Sequence, residues 1–141
     1  MSLYFKRHRS EYYRLLNAVR TDGGLESWLK YFLEGVAIIA DEIVATTRQL
    51  FALINADRTK VLAGRATSVA GIRLFELLPA HPLITVASAV KLLKTTKPTA
   101  TKAVSGLVDA GILVETTGRR RDRSFSYEDY LNLLSAGTET E

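Results

Sequence analysis

The sequence predicts a mostly α-helical protein that ends in a small domain with a two-stranded β element. Apolar residues recur every three or four positions along most of the 141-residue chain, which is the period of a helix buried on one face. Residues 112–117 instead alternate, which is typical of a strand, and residues 124–127 can return as its partner. Because the chain contains no cysteine, a disulfide framework and a thiolate metal site are excluded.

Charge is concentrated in one window of the chain. The net charge is +4, from 19 Lys+Arg and 15 Asp+Glu. Residues 91–123 contain eight basic and three acidic side chains, and the remainder is close to neutral. This local excess favours a polyanion as the partner of the window. No stretch is typical of a signal peptide or a membrane span, so we expect a cytoplasmic protein that does not associate with a membrane.

Residues 1–62 are predicted to form a helical segment. One helix runs over Ser10–Arg20 and ends at a "TDGG" turn, and a second begins near Leu25, with Gly35 as a candidate interruption. A long connector helix follows over residues 36–62. Its apolar residues recur near heptad spacing at Val36, Ile39, Ile43, Leu50, Leu53 and Ile54. Such a seam either forms a homodimer with a second copy of the chain or packs against the two preceding helices, and the pattern leaves both open.

The C-terminal half is predicted to be a separate domain over residues 69–136. A linker of small and polar residues, 63–68, precedes it, and a disordered tail, 137–141, follows. Thr67 or Ser68 can cap its first helix, which ends at the prolines of "PAHP". Its last helix, over Tyr127–Ala136, is expected to turn three side chains inward. These are Tyr130, Leu133 and Leu134.

Two short helices joined by a tight turn are predicted in the middle of this domain. Thr85 caps the first and Thr96 the second, and Pro98 falls in the first turn of the second helix, where a missing N–H costs nothing. Gly111 ends that helix. Lys94 occupies the turn, where glycine is common, and a left-handed lysine there costs roughly 1 kcal/mol. This spacing is a helix-turn-helix signature.

The element order after residue 68 is helix, helix, turn, helix, strand, loop, strand, helix. It resembles a winged helix-turn-helix domain, and Thr95–Leu113 resembles the recognition-helix region of bacterial winged-helix families. A recognition helix enters the major groove of double-stranded DNA by its N-terminal end, while wing arginines suit phosphates. The resemblance therefore predicts DNA contacts at Lys97, Thr99, Thr101, Lys102, Ser105, Arg119, Arg120, Arg121 and Arg123. Fold does not fix function, so a protein-binding role stays open.

The N-terminal segment carries a second resemblance. Residues 2–36 resemble the end of the catalytic domain of the Fic family (filamentation induced by cAMP), in which a tyrosine-rich helix, a "DG" turn and a tryptophan helix follow the active site. Members of that family transfer AMP from ATP to a protein hydroxyl. The resemblance implies that this chain is the accessory, regulatory region of a longer adenylyltransferase. The missing catalytic domain would be its partner, with ATP and Mg²⁺ as cofactors of that domain only.

This chain by itself is expected to be catalytically inert. The family's HPFxxGNGR-type loop is absent, and the two histidines, His8 and His81, lack its context. No catalytic residue, metal ligand or cofactor is therefore predicted within the chain. Two other functions remain open for the winged helix, which are a protein–protein interaction module and a free-standing dimeric transcription regulator.

Overall fold

The chain folds into helices with one small antiparallel sheet. A computed structural model describes residues 2–21, 23–64, 68–118 and 122–136. In chain order the elements are α1 (Ser2–Arg7), α2 (Arg9–Thr21), α3 (Leu25–Ala63), α4 (Val69–Leu77), β1 (Leu83–Thr85), α5 (Val86–Leu93), α6 (Lys97–Asp109), β2 (Val114–Glu115), β3 (Ser124–Ser126) and α7 (Glu128–Ala136). They divide into two compact units, Met1–Arg48 with Ser135–Glu141 and Gln49–Leu134, which we call the N-terminal unit and the winged-helix unit.

The two helices expected after the "TDGG" turn are a single helix, α3, of 39 residues. The candidate interruption at Gly35 is wrong, because Gly35 is buried inside continuous helix. A Cβ at this position would lie 2.6 Å from Cε1 of Tyr4. Gly35 is therefore the site where α1 approaches α3 too closely for a side chain, and it does not break the helix.

The N-terminal unit has a small aromatic core. Tyr4, Leu15 and Tyr31 are buried, and Phe5, Tyr12, Trp28 and Ile39 pack against them. The indole of Trp28 stacks on Phe32 at 5.3 Å between ring centroids. Outside this core, α3 leaves large apolar side chains exposed between residues 25 and 48. They are Leu25, Leu29, Leu33, Val36, Ile38, Ile43 and Val44.

The winged-helix unit confirms the predicted winged helix-turn-helix fold. Its core is contributed by the end of α3, by α4, α5 and α6, and by the sheet. The sheet has the order β1-β3-β2 and is antiparallel throughout, with Ile84 opposite Phe125 and Glu115 opposite Phe125 on the other side. Strand β1 was not predicted. It is three residues long, too short to show a period of its own, and its pairing depends on β3.

Two details of the predicted periodicity in this unit are wrong. Ile112 and Leu113 do not alternate in burial, because both enter the core before strand β2 begins at Val114. In α7, Leu134 is 40% exposed and does not point inward, whereas Tyr130 packs against the core as expected. The left-handed turn at Gly111, with φ of 72°, directs the chain into the core at that point.

The predicted boundaries of the domains stay predictions. Ser68 is the N-cap of α4, and its Oγ accepts a hydrogen bond of 3.2 Å from the Gly71 amide. The alternative cap, Thr67, lies outside the described residues, as do residues 65–66 of the linker and the tail, 137–141. Helix α3 extends to Ala63, one residue into the predicted linker.

A buried carboxylate links the C-terminal part of α3 to Tyr127, the residue that follows strand β3. Asp57 is 1% exposed. It accepts a hydrogen bond of 2.7 Å from the Tyr127 hydroxyl and one of 2.6 Å from Nζ of Lys60. Burial, followed by the hydrogen bond to Asp57, raises the pKa of Tyr127 above its ordinary value. The arrangement satisfies the requirement that a buried charge be paired and hydrogen-bonded.

Candidate nucleic-acid interface

The turn between α5 and α6 is built by local hydrogen bonds. Thr85 and Ser88 form a capping box at the start of α5, as the threonine cap predicted. At the other end Lys94 adopts the left-handed conformation, with φ of 51° and ψ of 50°. The Thr95 amide donates to the Val90 carbonyl oxygen at 3.2 Å, which closes the helix end. This turn sets where α6 begins.

Helix α6 begins as the sequence predicts, but its cap differs in detail. Thr96 is the N-cap residue and Pro98 lies in the first turn. The Thr96 side chain makes no capping hydrogen bond to the backbone, because its Oγ1 lies 3.0 Å from Oγ1 of Thr99 instead. The fixed φ of Pro98 therefore contributes more to this helix start than the hydroxyl of Thr96.

Helix α6 has one fully buried face and one exposed polar face. Its buried residues are Ala100, Ala103, Val104, Gly106 and Leu107. The exposed residues include all five side chains predicted on this helix to contact DNA, namely Lys97, Thr99, Thr101, Lys102 and Ser105. Small residues on the buried side let α6 pack closely against α4 and α5, so its polar side faces outward as a ridge.

A groove runs between α5, α6 and the wing, with a volume of about 870 Å³. Three of the predicted residues of α6 line it, Lys97, Thr101 and Ser105, and Arg123 lines the wing side. Thr99 and Lys102 are exposed but lie outside the lining of the groove. The five predicted residues of α6 are thus divided between the groove wall and the outer surface of the helix.

The groove also holds charges that were not predicted as part of the site. Lys91 of α5 lines it and adds to its positive charge. The excess of basic residues in 91–123 is the sequence feature that could have predicted Lys91 as part of this site. Two carboxylates, Asp109 and Asp122, line the groove as well, and Asp122 has a left-handed φ of 53°. The groove is therefore mixed in charge and is not a uniformly basic channel.

Arg123 is held against the wing by two contacts. Its Nη2 donates to Oε2 of Glu115, and its guanidinium carbon lies 5.3 Å from the centre of the Phe125 ring. The hydrogen bond to Glu115 raises the pKa of Arg123 above its ordinary value. The other three predicted wing residues, Arg119, Arg120 and Arg121, lie outside the described residues.

The hydroxyl of Thr101 has a partner within its own helix. It donates to the Lys97 carbonyl oxygen at 2.8 Å, one turn earlier. A hydroxyl that donates in this way keeps lone pairs that can accept from a base amine or an amide. Thr101 therefore faces the groove as an acceptor.

Comparisons with known proteins give low similarity. No protein-family model matches the chain, and no curated protein sequence matches it. Among solved structures, RV1404 from Mycobacterium tuberculosis is 19% identical with a TM-score of 0.40, covering 72% of this chain and 73% of that one. A MarR family transcriptional regulator from Silicibacter pomeroyi DSS is 20% identical with a TM-score of 0.38, covering 84% of this chain and 74% of that one. At these TM-scores the winged-helix assignment depends on the element order and sheet of this chain.

The resemblance of residues 2–36 to a Fic catalytic domain is wrong. No family model, that of Fic included, matches the chain, and neither of the two solved structures is described as a Fic protein. The aromatic residues behind the resemblance have a structural explanation, since Tyr4, Tyr31 and their neighbours pack on one another across α1, α2 and α3. The accessory role in AMP transfer and the missing catalytic domain as partner are withdrawn with it.

Within residues 2–21, 23–64, 68–118 and 122–136, no group of three or more acidic or histidine side chains could hold a metal ion. None of the helices in those ranges is both long and apolar enough to cross a membrane.

Proposed function

We propose that the chain is a DNA-binding transcription regulator that acts through the winged-helix unit. The observation that supports the proposal most is the division of α6 into a buried apolar face and an exposed face with two lysines and three hydroxyls. Such a helix presents donors and acceptors on a rigid support. Because gene regulation by such a protein takes place where the chromosome is, the proposal includes a cytoplasmic location in a bacterial cell.

The dimensions of α6 fit the major groove of DNA. The helix has 13 residues, and 13 residues of helix extend about 20 Å. The major groove of B-DNA is roughly 12 Å wide and admits one helix. Lys97 lies at the N-terminal end of α6, the end that helix-turn-helix proteins direct to the bases. Lys97 and Lys102 can reach phosphates or guanine, and the hydroxyls of Thr99, Thr101 and Ser105 suit short contacts.

The wing supplies the second part of the proposed interface. Arg123 lines the same groove as Lys97 and Thr101. The remaining wing arginines, Arg119, Arg120 and Arg121, begin four residues after the end of β2 at Glu115 and belong to the same proposal. Arginines in this position suit phosphates of the neighbouring minor groove more than base edges.

The proposal is tested by titrating a labelled duplex DNA with the protein at two salt concentrations. A binder that neutralises phosphates weakens with salt at a log–log slope of about 0.9 for each phosphate contacted. Replacing Lys97 and Lys102 with alanine should weaken binding at least tenfold and lower the slope by roughly 1 to 2. Replacing Arg48 and Arg58 removes the same charge from exposed positions of α3 and serves as the matched control.

Two outcomes contradict the proposal. Undetectable binding to any duplex at low salt would leave the winged helix as a protein–protein interaction module, which is the alternative function. Equal losses in the lysine and arginine double variants would mean that the binding is a diffuse effect of net charge, without an interface on α6.

The proposed regulator is a homodimer that pairs through the exposed face of α3. The predicted seam over residues 36–62 changes in the structure, because Ile39 packs in the N-terminal unit while Leu53 and Ile54 pack against the winged-helix core. A different set of exposed residues has alternating spacings of four and three. This exposed seam consists of Leu29, Leu33, Val36, Ala40 and Ile43. Contiguous exposed apolar patches of this kind mark interaction sites on protein surfaces.

The dimer is tested by sedimentation equilibrium. The wild-type chain should sediment as a dimer at micromolar concentration, and Leu33→Glu should convert it to a monomer, because a glutamate in the seam would be buried without a partner. The control is Leu62→Glu, since Leu62 and Leu33 are equally exposed, at 63% and 62%, but only Leu33 lies in the exposed seam. A monomeric wild type, or equal effects of both changes, would overturn this part of the proposal.

A further inference from the structure

The one wing arginine among the described residues is already engaged by a carboxylate. Glu115 of β2 stands opposite Phe125 of β3 in the sheet register, and Arg123 immediately precedes β3. The guanidinium of Arg123 therefore reaches both the Glu115 carboxylate and the Phe125 ring. The side chain of Arg123 is 48% exposed and that of Glu115 is 24% exposed. The pair thus lies at the surface, where a phosphate could approach it.

The position of the pair relative to the groove gives it a consequence for DNA binding. Arg123 lines the groove together with Lys97 and Lys91. Glu115 brings a negative charge next to this cation, and Asp109 and Asp122 add two more along the groove. A phosphate that approaches Arg123 is attracted by the guanidinium and repelled by the adjacent Glu115 carboxylate.

We infer that Glu115 limits the affinity of the wing for DNA by competing with phosphate for Arg123. The inference rests on the proposed DNA-binding function and adds a residue that determines its strength. Two effects of Glu115 oppose each other. Holding Arg123 against Phe125 reduces the side-chain entropy lost on binding, whereas the carboxylate repels every phosphate that Arg123 could contact. We take the repulsion as the larger effect, because the Glu115 side chain is only 24% exposed and water screens its charge less than that of a fully exposed carboxylate.

The structure explains why the competition is reversible. A guanidinium has five N–H donors, so one carboxylate oxygen does not exhaust its capacity to bind a second acceptor. An exposed ion pair of this kind is screened by water and salt and contributes little to stability. DNA can therefore displace or share Glu115 without unfolding the hairpin, whose β2–β3 pairing is made by the backbone.

The test is Glu115→Gln, which keeps an oxygen that can accept from Arg123 and removes only the charge. We expect duplex DNA to bind about three- to tenfold more tightly, with a log–log salt slope steeper by about 0.9 for one additional phosphate. Adding Arg123→Gln to the same protein should abolish the gain. The matched control is Glu76→Gln, which releases Arg58 from an exposed ion pair of 3.8 Å elsewhere in the winged-helix unit.

The possible outcomes separate this inference from the proposed function. Tighter binding by Glu115→Gln than by the wild type, with no such change in Glu76→Gln, supports the competition. Equal tightening by both variants, or weaker binding by Glu115→Gln with an unchanged melting temperature, overturns it while leaving the DNA-binding proposal intact. No binding by either wild type or Glu115→Gln overturns both.

Discussion

The two units of this chain differ in how completely they bury their own apolar residues. In the winged-helix unit Leu74, Leu78 and Leu107 are fully inaccessible, and they belong to one continuous core that also holds the sheet. Among the described residues of the N-terminal unit, the large apolar side chains that are buried are Tyr4, Leu15 and Tyr31, each still partly accessible to solvent. The winged-helix unit therefore buries its large apolar side chains in its own core more completely than the N-terminal unit does.

The difference follows from geometry. Helices and a sheet arranged in layers enclose a volume, so side chains from several directions meet in the winged-helix unit. In the N-terminal unit the two short helices α1 and α2 cover one side of the long helix α3. The other side of α3 is left in solvent. A face with Leu29, Leu33 and Ile43 exposed at heptad spacing is typical of a helix whose partner is another helix. The comparison therefore predicts that substitutions behave differently in the two units.

The largest expected effect comes from matched leucine truncations. Leu74→Ala should lower the free energy of unfolding by about 2–5 kcal/mol, because it removes a fully buried side chain and leaves a cavity. Leu33→Ala, on the exposed seam, should change it by less than about 0.5 kcal/mol in dilute protein. Urea unfolding at two protein concentrations checks both. The comparison breaks down where Leu33→Ala costs as much as Leu74→Ala at every concentration.

The next effect concerns the buried pair of Asp57 and Tyr127. Tyr127→Phe should cost about 1–3 kcal/mol near neutral pH, because a buried carboxylate loses one of its donors. The comparison residue in the N-terminal unit is Tyr31, whose hydroxyl lies 3.4 Å from the His8 carbonyl oxygen. Tyr31→Phe should cost less, since that contact is long and lies in the more open unit. Thermal denaturation of the two variants side by side measures the difference.

The same pair predicts how stability depends on alkaline pH. The folded-state pKa of Tyr127 is raised above the unfolded value of about 10, so its contribution is complete below pH 10 and is lost as the pH rises further. The wild type should lose up to about 1.4 kcal/mol per pH unit more than Tyr127→Phe above pH 10. Parallel stability curves for the two proteins between pH 9 and 11 would contradict the assignment.

A smaller effect is expected where α1 crosses α3. Gly35→Ala gains helix propensity but forces a Cβ into the Tyr4 ring, so we expect a net loss of about 1 kcal/mol. In a Tyr4→Ala background the same change should become stabilising by roughly 0.5–1 kcal/mol. Chemical denaturation of the wild type, the two single variants and the double variant gives the coupling free energy between positions 4 and 35. The close approach is refuted if Gly35→Ala stabilises the wild-type protein.

The smallest effect concerns the left-handed residues that frame the turn and the end of α6. Lys94→Gly should stabilise the chain by about 0.5 kcal/mol, since relief of the left-handed strain exceeds the added entropy of glycine in the unfolded state. Gly111→Ala should destabilise it by about 1 kcal/mol, because alanine is strained in the left-handed conformation that Gly111 adopts. This strain remains although an added Cβ would meet no atom within 4 Å. Melting temperatures should move in opposite directions, and shifts of the same sign would show that the backbone angles do not govern them.

The sequence was most informative where the determinants are local. The caps at Thr85 and Thr96, the proline at position 98 and the glycine at position 111 each act within one helical turn, so their positions followed from the residues alone. Part of the exposed face of α6 followed from the helical period, because Lys102 and Ser105 point away from Ala100 and Leu107 on a helix.

The sequence misled where one pattern suits several structures. A tyrosine-rich helix, a glycine turn and a tryptophan helix suggested a particular catalytic domain, yet the same order serves an aromatic cluster of three helices. Apolar residues at heptad spacing in 36–62 suggested one seam. In the structure Ile39 packs against the core of the N-terminal unit, Ile43 is exposed, and Leu53 packs against the core of the winged-helix unit. Periodicity states which residues share a face but not what covers that face.

Taken alone, the residues determined the fold class, the helix-turn-helix and the polar surface of α6, because each depends on neighbours within a few positions. Tertiary structure decided the rest: Tyr127 with Asp57, the closeness of Gly35 to Tyr4, and the partner of Arg123. The partners of those contacts lie 8 to 70 residues apart along the chain. No local rule selects one carboxylate among the 15 of this sequence, and only the packing of helices and strands brings Glu115 to Arg123 and Asp57 to Tyr127.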